Sequence, residues 1–214
     1  MKKSIFITTF LLLFVLLSGC ASKQIIHRER TENFIADVDS FEVGKLHLYT
    51  SVGIARPKIH DYYVRFAPRS NYIYIKARVG IDIIEIGVPY SERKSLNAAK
   101  EKYLADYEAG NIPKTKPNKK NAISNGVVSI GWGAFGTGHD VMTTYMTNTQ
   151  YLEENKPYFR IKLKSTDEEG NDHVSSPPLA IYISPSQWDQ IYQMCSQESL
   201  VAQTDEILAQ ANAF

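Results

Sequence analysis

The residues of this sequence with the most chemical character lie in one glycine-rich stretch, 131–140, which reads GWGAFGTGHD. A glycine-rich loop can hold a phosphate through its backbone N–H groups, and a histidine next to an aspartate can transfer protons. The stretch lacks the Gly-Lys-Ser/Thr ending of a nucleotide-binding loop and lies between two β-like runs. Its glycines therefore predict a bend or a bulge, and Trp132 and Phe135 are expected to be buried there.

His139 and Asp140 are the candidates for a general acid–base pair, and His139 is kept as a candidate binding residue. Neighbouring residues of a strand point to opposite faces, which weakens the pair. The histidines have no spacing typical of a zinc site. The acidic loop 167–172 offers Asp167, Glu168 and Asp172 as oxygen ligands for calcium, but it does not match an EF-hand loop. We predict no metal ion and no cofactor.

An aromatic and basic cluster on two predicted strands gives a second candidate site. The runs 61–67 and 71–79 flank the turn-prone residues 68–71, which predicts a β-hairpin. Alternation in the second strand assigns Ile73, Ile75, Ala77 and Val79 to the core. Tyrosine is common in strands for packing reasons alone, so a purely structural role is the alternative. The functional interpretation is an exposed surface that binds a protein or glycan and is formed by Tyr62, Tyr63, Tyr72, Tyr74, Lys76 and Arg78.

The elements that must position these residues are mainly strands. β-rich runs separated by turns recur from residue 41 onward and predict about eight antiparallel strands. They are arranged as a sandwich or a partly closed barrel, with one inserted helix and a C-terminal helical segment. The predicted fold class is therefore α+β and β-dominated.

The inserted helix is predicted over residues 91–110, with Ser91 or Ser95 as its cap and Gly110 at its end. Ser184 followed by Pro185 predicts the start of the C-terminal helical segment. The apolar face of the inserted helix is formed by residues at helical spacing, namely Leu96, Ala99, Tyr103 and Tyr107.

The first twenty residues have the layout of a secretion signal, with two lysines ahead of an apolar run over 5–17. The run ends in Leu17-Ser18-Gly19-Cys20, which resembles the lipobox of bacterial lipoproteins. The resemblance implies cleavage before Cys20, acylation of that cysteine and attachment to a membrane through its lipid. Ala21 after the cysteine implies sorting to the outer membrane if the organism has two membranes.

The composition limits the classes of partner that the protein can have and indicates how many domains it contains. The chain has 24 Lys and Arg against 23 Asp and Glu, and removing the signal peptide leaves 22 against 23, which argues against a nucleic-acid partner. With Cys20 acylated, Cys195 has no cysteine to pair with and is expected to be a small buried hydrophobe. We predict a signal peptide (1–19), a lipidated N-terminus and tether (20–40) and a single β-rich domain (41–214).

These features predict a lipid-anchored, non-catalytic protein of the bacterial cell envelope that binds a protein or glycan partner. One alternative is a carrier whose barrel or sandwich holds an apolar ligand or lipid, which requires more inward apolar surface than the core fills. A second alternative is an envelope hydrolase, which requires His139 and Asp140 to converge in one cleft.

Overall fold

In the computed structural model, which describes residues 28–153, 155–211 and 213, eight antiparallel strands form a closed barrel. Strand β10 pairs with β1 and closes it. Two further strands form a separate ribbon between β7 and β10, namely β8 (Asp167–Glu168) and β9 (Asn171–Ser175). The barrel strands are β1 (Phe41–Val52), β2 (Lys58–Ala67), β3 (Tyr72–Val79), β4 (Asp82–Pro89), β5 (Ser124–Gly133), β6 (His139–Glu153), β7 (Lys156–Leu163) and β10 (Leu179–Ile183). The predicted fold class is confirmed, and of the two predicted arrangements the barrel is the one that forms.

The predicted hairpin is present as β2 and β3, paired from Tyr62 opposite Ala77 to Ala67 opposite Tyr72. Its turn includes Asn71, whose φ of 52° lies in the left-handed region that asparagine tolerates better than most residues. Side chains along a strand alternate between its two faces, so every second side chain of each strand points into the barrel. In β3, Ile73 and Ala77 are buried, as the alternation predicts.

Both long helical segments start at the same end of the barrel, which we call the helix end. β4 and β10 are separated by four antiparallel pairings through β5, β6 and β7, so they run in the same direction. α1 (Tyr90–Glu108) follows β4 directly, and α2 (Pro185–Cys195) follows β10. The two helices therefore emerge over one mouth of the barrel, and α3 (Gln197–Ala211) continues from α2.

The helix α1 begins at Tyr90, one residue earlier than predicted, and its N-cap is Pro89. No side chain caps this end, so the predicted capping by Ser91 or Ser95 is wrong. Gly110, with a φ of +67°, follows the last turn and allows the chain to leave the helix. Of its predicted apolar face, the helix buries Ala99 and Tyr103 and partly buries Leu96, whereas Tyr107 is 44% exposed, so the prediction for Tyr107 is wrong.

The start of α2 confirms the prediction at Ser184 and Pro185. The Ser184 hydroxyl accepts from the backbone N–H of Gln187, and the Gln187 side chain accepts from the backbone N–H of Ser184. Trp188 of α2 and Leu200 of α3 are buried against the barrel core. Within the part of the chain that the structure describes, no helix has both the length and the apolar character to span a bilayer.

The segment before β1 is more ordered than the predicted tether. Phe34, Ile35 and Ala36 are buried, and the backbone N–H of Ile35 donates to the carbonyl of Pro68 at 2.8 Å. The domain therefore begins before the predicted residue 41, because this short apolar triplet docks at the helix end. The predicted signal peptide and Cys20 lie outside the described residues.

Candidate functional site

The predicted aromatic and basic surface is formed without Tyr62. Tyr62 is fully buried inside the barrel, where its hydroxyl is 2.7 Å from the hydroxyl of Thr50, and burial raises its pKa to about 12. Tyr63, the next residue along β2, points outward and is 47% exposed. Adjacent strand residues cannot share a face, which is why the prediction for Tyr62 fails.

The remaining residues of this surface lie on the outside of β2 and β3. The rings of Tyr72 and Tyr74 are stacked with their centroids 5.8 Å apart, and Lys76 lies 3.7 Å from the carboxylate of Glu85. Tyr74 lies flat on the sheet because Gly87 has no side chain, since a Cβ there would come within 2.9 Å of the tyrosine ring. Arg78 is exposed further along β3. Tyr74 and Glu85 also line a second, more polar pocket with Arg65 and Arg69.

His139 does not form an acid–base pair with Asp140, in agreement with the alternation expected along a strand. Nδ1 of His139 lies 3.1 Å from the carboxylate of Glu168, and its ring stacks on Trp132 at a centroid distance of 5.4 Å. Asp140 is exposed, and as a strand neighbour of His139 it points to the opposite face. The contact of His139 with Glu168 instead ties the β8–β9 ribbon to the barrel.

The rest of the glycine-rich stretch is a turn between β5 and β6, at the end of the barrel opposite the helices. Trp132 is buried as predicted, but Phe135 stands fully exposed at the tip of the turn, which contradicts its predicted burial. Gly133 has a φ of 157°, and a Cβ there would crowd the backbone nitrogen of Gly138 at 3.1 Å. The glycines therefore shape the turn, and the tip leaves Phe135 without a packing partner.

The acidic loop does not converge on a common point. Asp167 accepts a hydrogen bond of 2.5 Å from Ser175, and Glu168 is engaged by His139. The side chain of Asp172 is outside the described part of the structure. Among the described residues, no group of three His, Cys, Asp or Glu side chains is placed to hold a metal ion.

A cavity of about 350 Å³ lies at the helix end, between the barrel strands and the helices α1 and α2. Its inner part is aliphatic, and α1 and α2 add Leu96, Ile191 and Cys195 to its walls. The strands contribute inward-facing leucine and isoleucine side chains, namely Leu46, Leu48, Ile73, Ile75, Ile161, Ile181 and Ile183. The carrier alternative requires an apolar space of this kind.

Uneven packing of large rings explains why the cavity exists. Phe159 of β7 packs edge-on against Tyr103 of α1 and Trp188 of α2, with centroid distances of 5.5 and 5.2 Å. These rings set the height of both helices above the barrel. The lining of β1, β3 and β10 below α1 and α2 is only leucine and isoleucine, so the helices leave a gap there.

Three basic residues of α1 also line the cavity, namely Arg93, Lys94 and Lys100. Lys94 pairs with Glu32 at 2.8 Å, and Nζ of Lys100 pairs with Glu101 at 2.7 Å. The Arg93 guanidinium donates to the backbone and side-chain oxygens of Asn71. Burial lowers the pKa of Arg93 to about 10, so the group stays charged at neutral pH.

The reasoning from sequence missed both the cavity and Arg93. The available signal was the spacing of Arg93, Leu96 and Lys100, which are three and four residues apart and share one face of α1. That face mixes charged and apolar residues, so it does not stand out as an apolar stripe. Cys195, predicted as a small buried hydrophobe, is partly buried on the cavity wall, and burial raises its pKa to about 12.

The chain is similar to an uncharacterized protein of Treponema pallidum (strain Nichols), with 27% identity over 175 residues. The match covers 81% of this chain but 63% of the relative, so the chain spans under two thirds of the relative's length. No solved structure matches the chain. A family model described as "Uncharacterised Treponema protein" matches residues 13–202, and the chain belongs to this family.

Proposed function

We propose that this protein is a lipid-anchored, non-catalytic protein of the bacterial cell envelope that holds a small apolar molecule in the cavity at the helix end of its barrel. The observation that carries the proposal is the aliphatic cavity of about 350 Å³. Ligand sites in proteins typically occupy about 300–1,000 Å³ and are lined mainly by apolar side chains. Eight-stranded barrels are wide enough either to be filled by side chains or to hold one small ligand.

The energetics support an occupied cavity. A well-packed interior leaves few voids larger than a water molecule. An engineered apolar cavity of about 150 Å³ already binds benzene, and this cavity is more than twice as large. Filling it with an alkyl group would stabilise the complex by roughly 0.8 kcal/mol for each buried CH₂ group.

The envelope location rests on the lipobox pattern that ends in Cys20, and outer-membrane sorting rests on Ala21. The non-catalytic role is supported by the geometry of the candidate acid–base pair, because His139 is engaged by Glu168 and Asp140 faces away. A hydrolase that uses these two residues would need them in one cleft.

The test is titration of the full chain with the neutral fluorophore N-phenyl-1-naphthylamine, whose emission rises in an apolar site. We expect saturable binding that Ile75→Trp reduces at least about tenfold, because the indole fills the cavity. Ile59→Trp is the matched control, since Ile59 is 58% exposed on the barrel surface. Absence of binding, or equal binding by both variants, would contradict the proposal.

A second candidate function is recognition of an envelope protein or glycan by the outer surface of Tyr63, Tyr72, Tyr74 and Lys76. The stacked pair Tyr72–Tyr74 favours it, because rigid aromatic groups give contact area at a low cost in conformational entropy. Sedimentation with purified cell-envelope glycan should be lost in the double variant Tyr72→Ala/Tyr74→Ala. Retention in the control Tyr192→Ala and in the double variant alike would exclude this surface.

A further inference from the structure

We propose that the ligand of the cavity is an amphipathic anion, with its alkyl chain against the aliphatic strands and a carboxylate or phosphate group at Arg93 and Trp188. The inference rests on the proposed function and adds the chemical class of the ligand. The carboxylate and the phosphate share the same chemistry at this site, because both accept hydrogen bonds from a guanidinium.

Buried polar atoms without hydrogen-bond partners are concentrated at this cavity. In the described residues, five side-chain atoms are of this kind. Three of them belong to residues that line the cavity, namely Arg93 Nε, Trp188 Nε1 and Gln197 Oε1. Native structures pair nearly all buried polar groups, because an unpaired one loses its bonds to water without replacement. The concentration of such atoms at one apolar cavity indicates a ligand that carries a polar group.

The surroundings of Arg93 indicate that the polar group of the ligand is an anion. Its hydrogen bonds go to the neutral oxygens of Asn71, and the rings of Phe66 and Tyr90 lie 5.8 and 5.1 Å from its guanidinium carbon. Across residues 28–153, 155–211 and 213, no carboxylate forms an ion pair with Arg93. A charge removed from water without a counterion is costly, and a bound anion would supply that counterion.

The carboxylates next to the basic residues of the cavity are already engaged, apart from Glu198 at the rim. Glu92, the preceding residue, accepts a hydrogen bond of 2.6 Å from Tyr145. Glu32 pairs with Lys94, and Glu101 pairs with Lys100. Glu198 is the acidic residue of the lining, and it is exposed at the rim. Of the described basic residues in the lining, Arg93 is therefore the one without a carboxylate partner, which favours a negatively charged group beside it.

The positions of the polar and aliphatic groups in the cavity also indicate how the ligand is oriented. Arg93 and Gln197 belong to α1 and α3, whereas the aliphatic floor is formed by inward residues of the strands. Trp188 of α2 contributes its ring to the packing with Phe159 and its N–H to the polar group. An alkyl chain would therefore enter the barrel, and its acidic group would stay at the level of the helices.

The test compares four ligands with one ten-carbon chain on the full-length protein: decanoate, decyl phosphate, decanol and decyltrimethylammonium. Each competes with N-phenyl-1-naphthylamine at neutral pH. We expect decanoate or decyl phosphate to bind at least about tenfold more tightly than decanol, because a charge-assisted hydrogen bond adds to the shared alkyl contacts. The tighter of the two anions identifies the head group. Equal binding of anion, alcohol and cation would overturn the inference and leave the proposed function standing, whereas no binding of any ligand would overturn both.

Variants locate the head group. Arg93→Met keeps the aliphatic stem and removes the charge, and Trp188→Phe keeps an aromatic ring, although a smaller one, and removes the N–H. We expect both to lower anion affinity and to leave decanol affinity within about twofold, and Arg93→Lys to restore part of the preference. The control is Arg78→Met, an exposed arginine on the outer surface. A preference for anions that survives Arg93→Met, or a parallel loss of anion and decanol binding, would overturn the assignment. The ligand series on the unchanged protein decides the question if a variant fails to fold.

Discussion

The hydroxyl of Tyr145 donates a hydrogen bond of 2.6 Å to Oε2 of Glu92 and thereby fastens the first turn of α1 to the barrel. Tyr145 is 2% exposed, and burial together with this carboxylate raises its pKa. The contact holds Glu92 on the barrel side of the helix, so it does not neutralise Arg93 on the cavity wall. This hydrogen bond therefore helps to position α1 on the barrel.

Tyr145→Phe is expected to lower the free energy of unfolding by about 1–3 kcal/mol, because it leaves the Glu92 carboxylate partly buried without its donor. Urea unfolding followed by circular dichroism measures the change. Tyr192→Phe is the control, since Tyr192 is 54% exposed, and it should change stability by less than about 0.5 kcal/mol. Equal stabilities of the two variants would show that the Tyr145–Glu92 bond contributes nothing.

Trp132 and Phe135, three residues apart in the glycine-rich turn, should differ sharply in their contribution to stability. Trp132→Ala removes a side chain that is 7% exposed and should cost about 3–5 kcal/mol. Phe135→Ala removes a fully exposed ring and should change the unfolding free energy by less than about 0.5 kcal/mol. Thermal or urea unfolding of both variants measures this difference, and a large loss with Phe135→Ala would contradict the exposed tip.

The local sequence pattern was sufficient to predict the elements that depend only on neighbouring residues. The hairpin of β2 and β3 follows from a turn between two alternating runs, and the start of α2 follows from Ser184 and Pro185. Such features depend on backbone dihedral angles and on the period of the apolar residues, and both can be inferred from a short stretch of sequence. The class of the domain was predictable for the same reason.

Features that depend on distant residues were not predictable from local pattern. Barrel closure pairs Tyr49 with Tyr182, and no local pattern encodes a partner so far along the chain. The cavity depends on the distance at which Phe159 holds α1 and α2 from the barrel strands. Packing between residues far apart in the sequence sets that distance. Arg93 becomes a candidate only when the cavity is known. Tyr62 is different, since strict alternation in β2 would have separated it from Tyr63.

Cys20 should carry the lipid, and the second cysteine supplies a matched control. Cys20→Ala is expected to abolish labelling by an alkyne fatty acid and to release the protein from the detergent phase after Triton X-114 partition, because the acyl chains provide the membrane affinity. Cys195→Ala should leave labelling and partition unchanged. Loss of the label in Cys195→Ala, or its retention in Cys20→Ala, would contradict lipidation at Cys20.

Cys195 should react slowly while the protein is folded. Burial raises the pKa of its thiol to about 12, and the thiolate is the reactive form. In a Cys20→Ser chain, carbamidomethylation by iodoacetamide at about pH 8 should be at least about a hundredfold slower in the folded protein than in urea. Mass spectrometry measures both rates. A folded rate within a few-fold of the unfolded rate would place the thiol in solvent.

The same pKa predicts a loss of stability at high pH. The unfolded thiol releases its proton near pH 8.5, whereas the folded thiol keeps it up to about pH 12, so above pH 9 the folded state binds more protons. The free energy of unfolding should therefore fall from about pH 9 to pH 12, and Cys195→Ala should reduce this fall. Part of it remains in that variant, because burial also raises the pKa of Tyr62 to about 12. Urea unfolding at a series of pH values measures both curves, and identical slopes for the variant and the unchanged protein would contradict a buried thiol at Cys195.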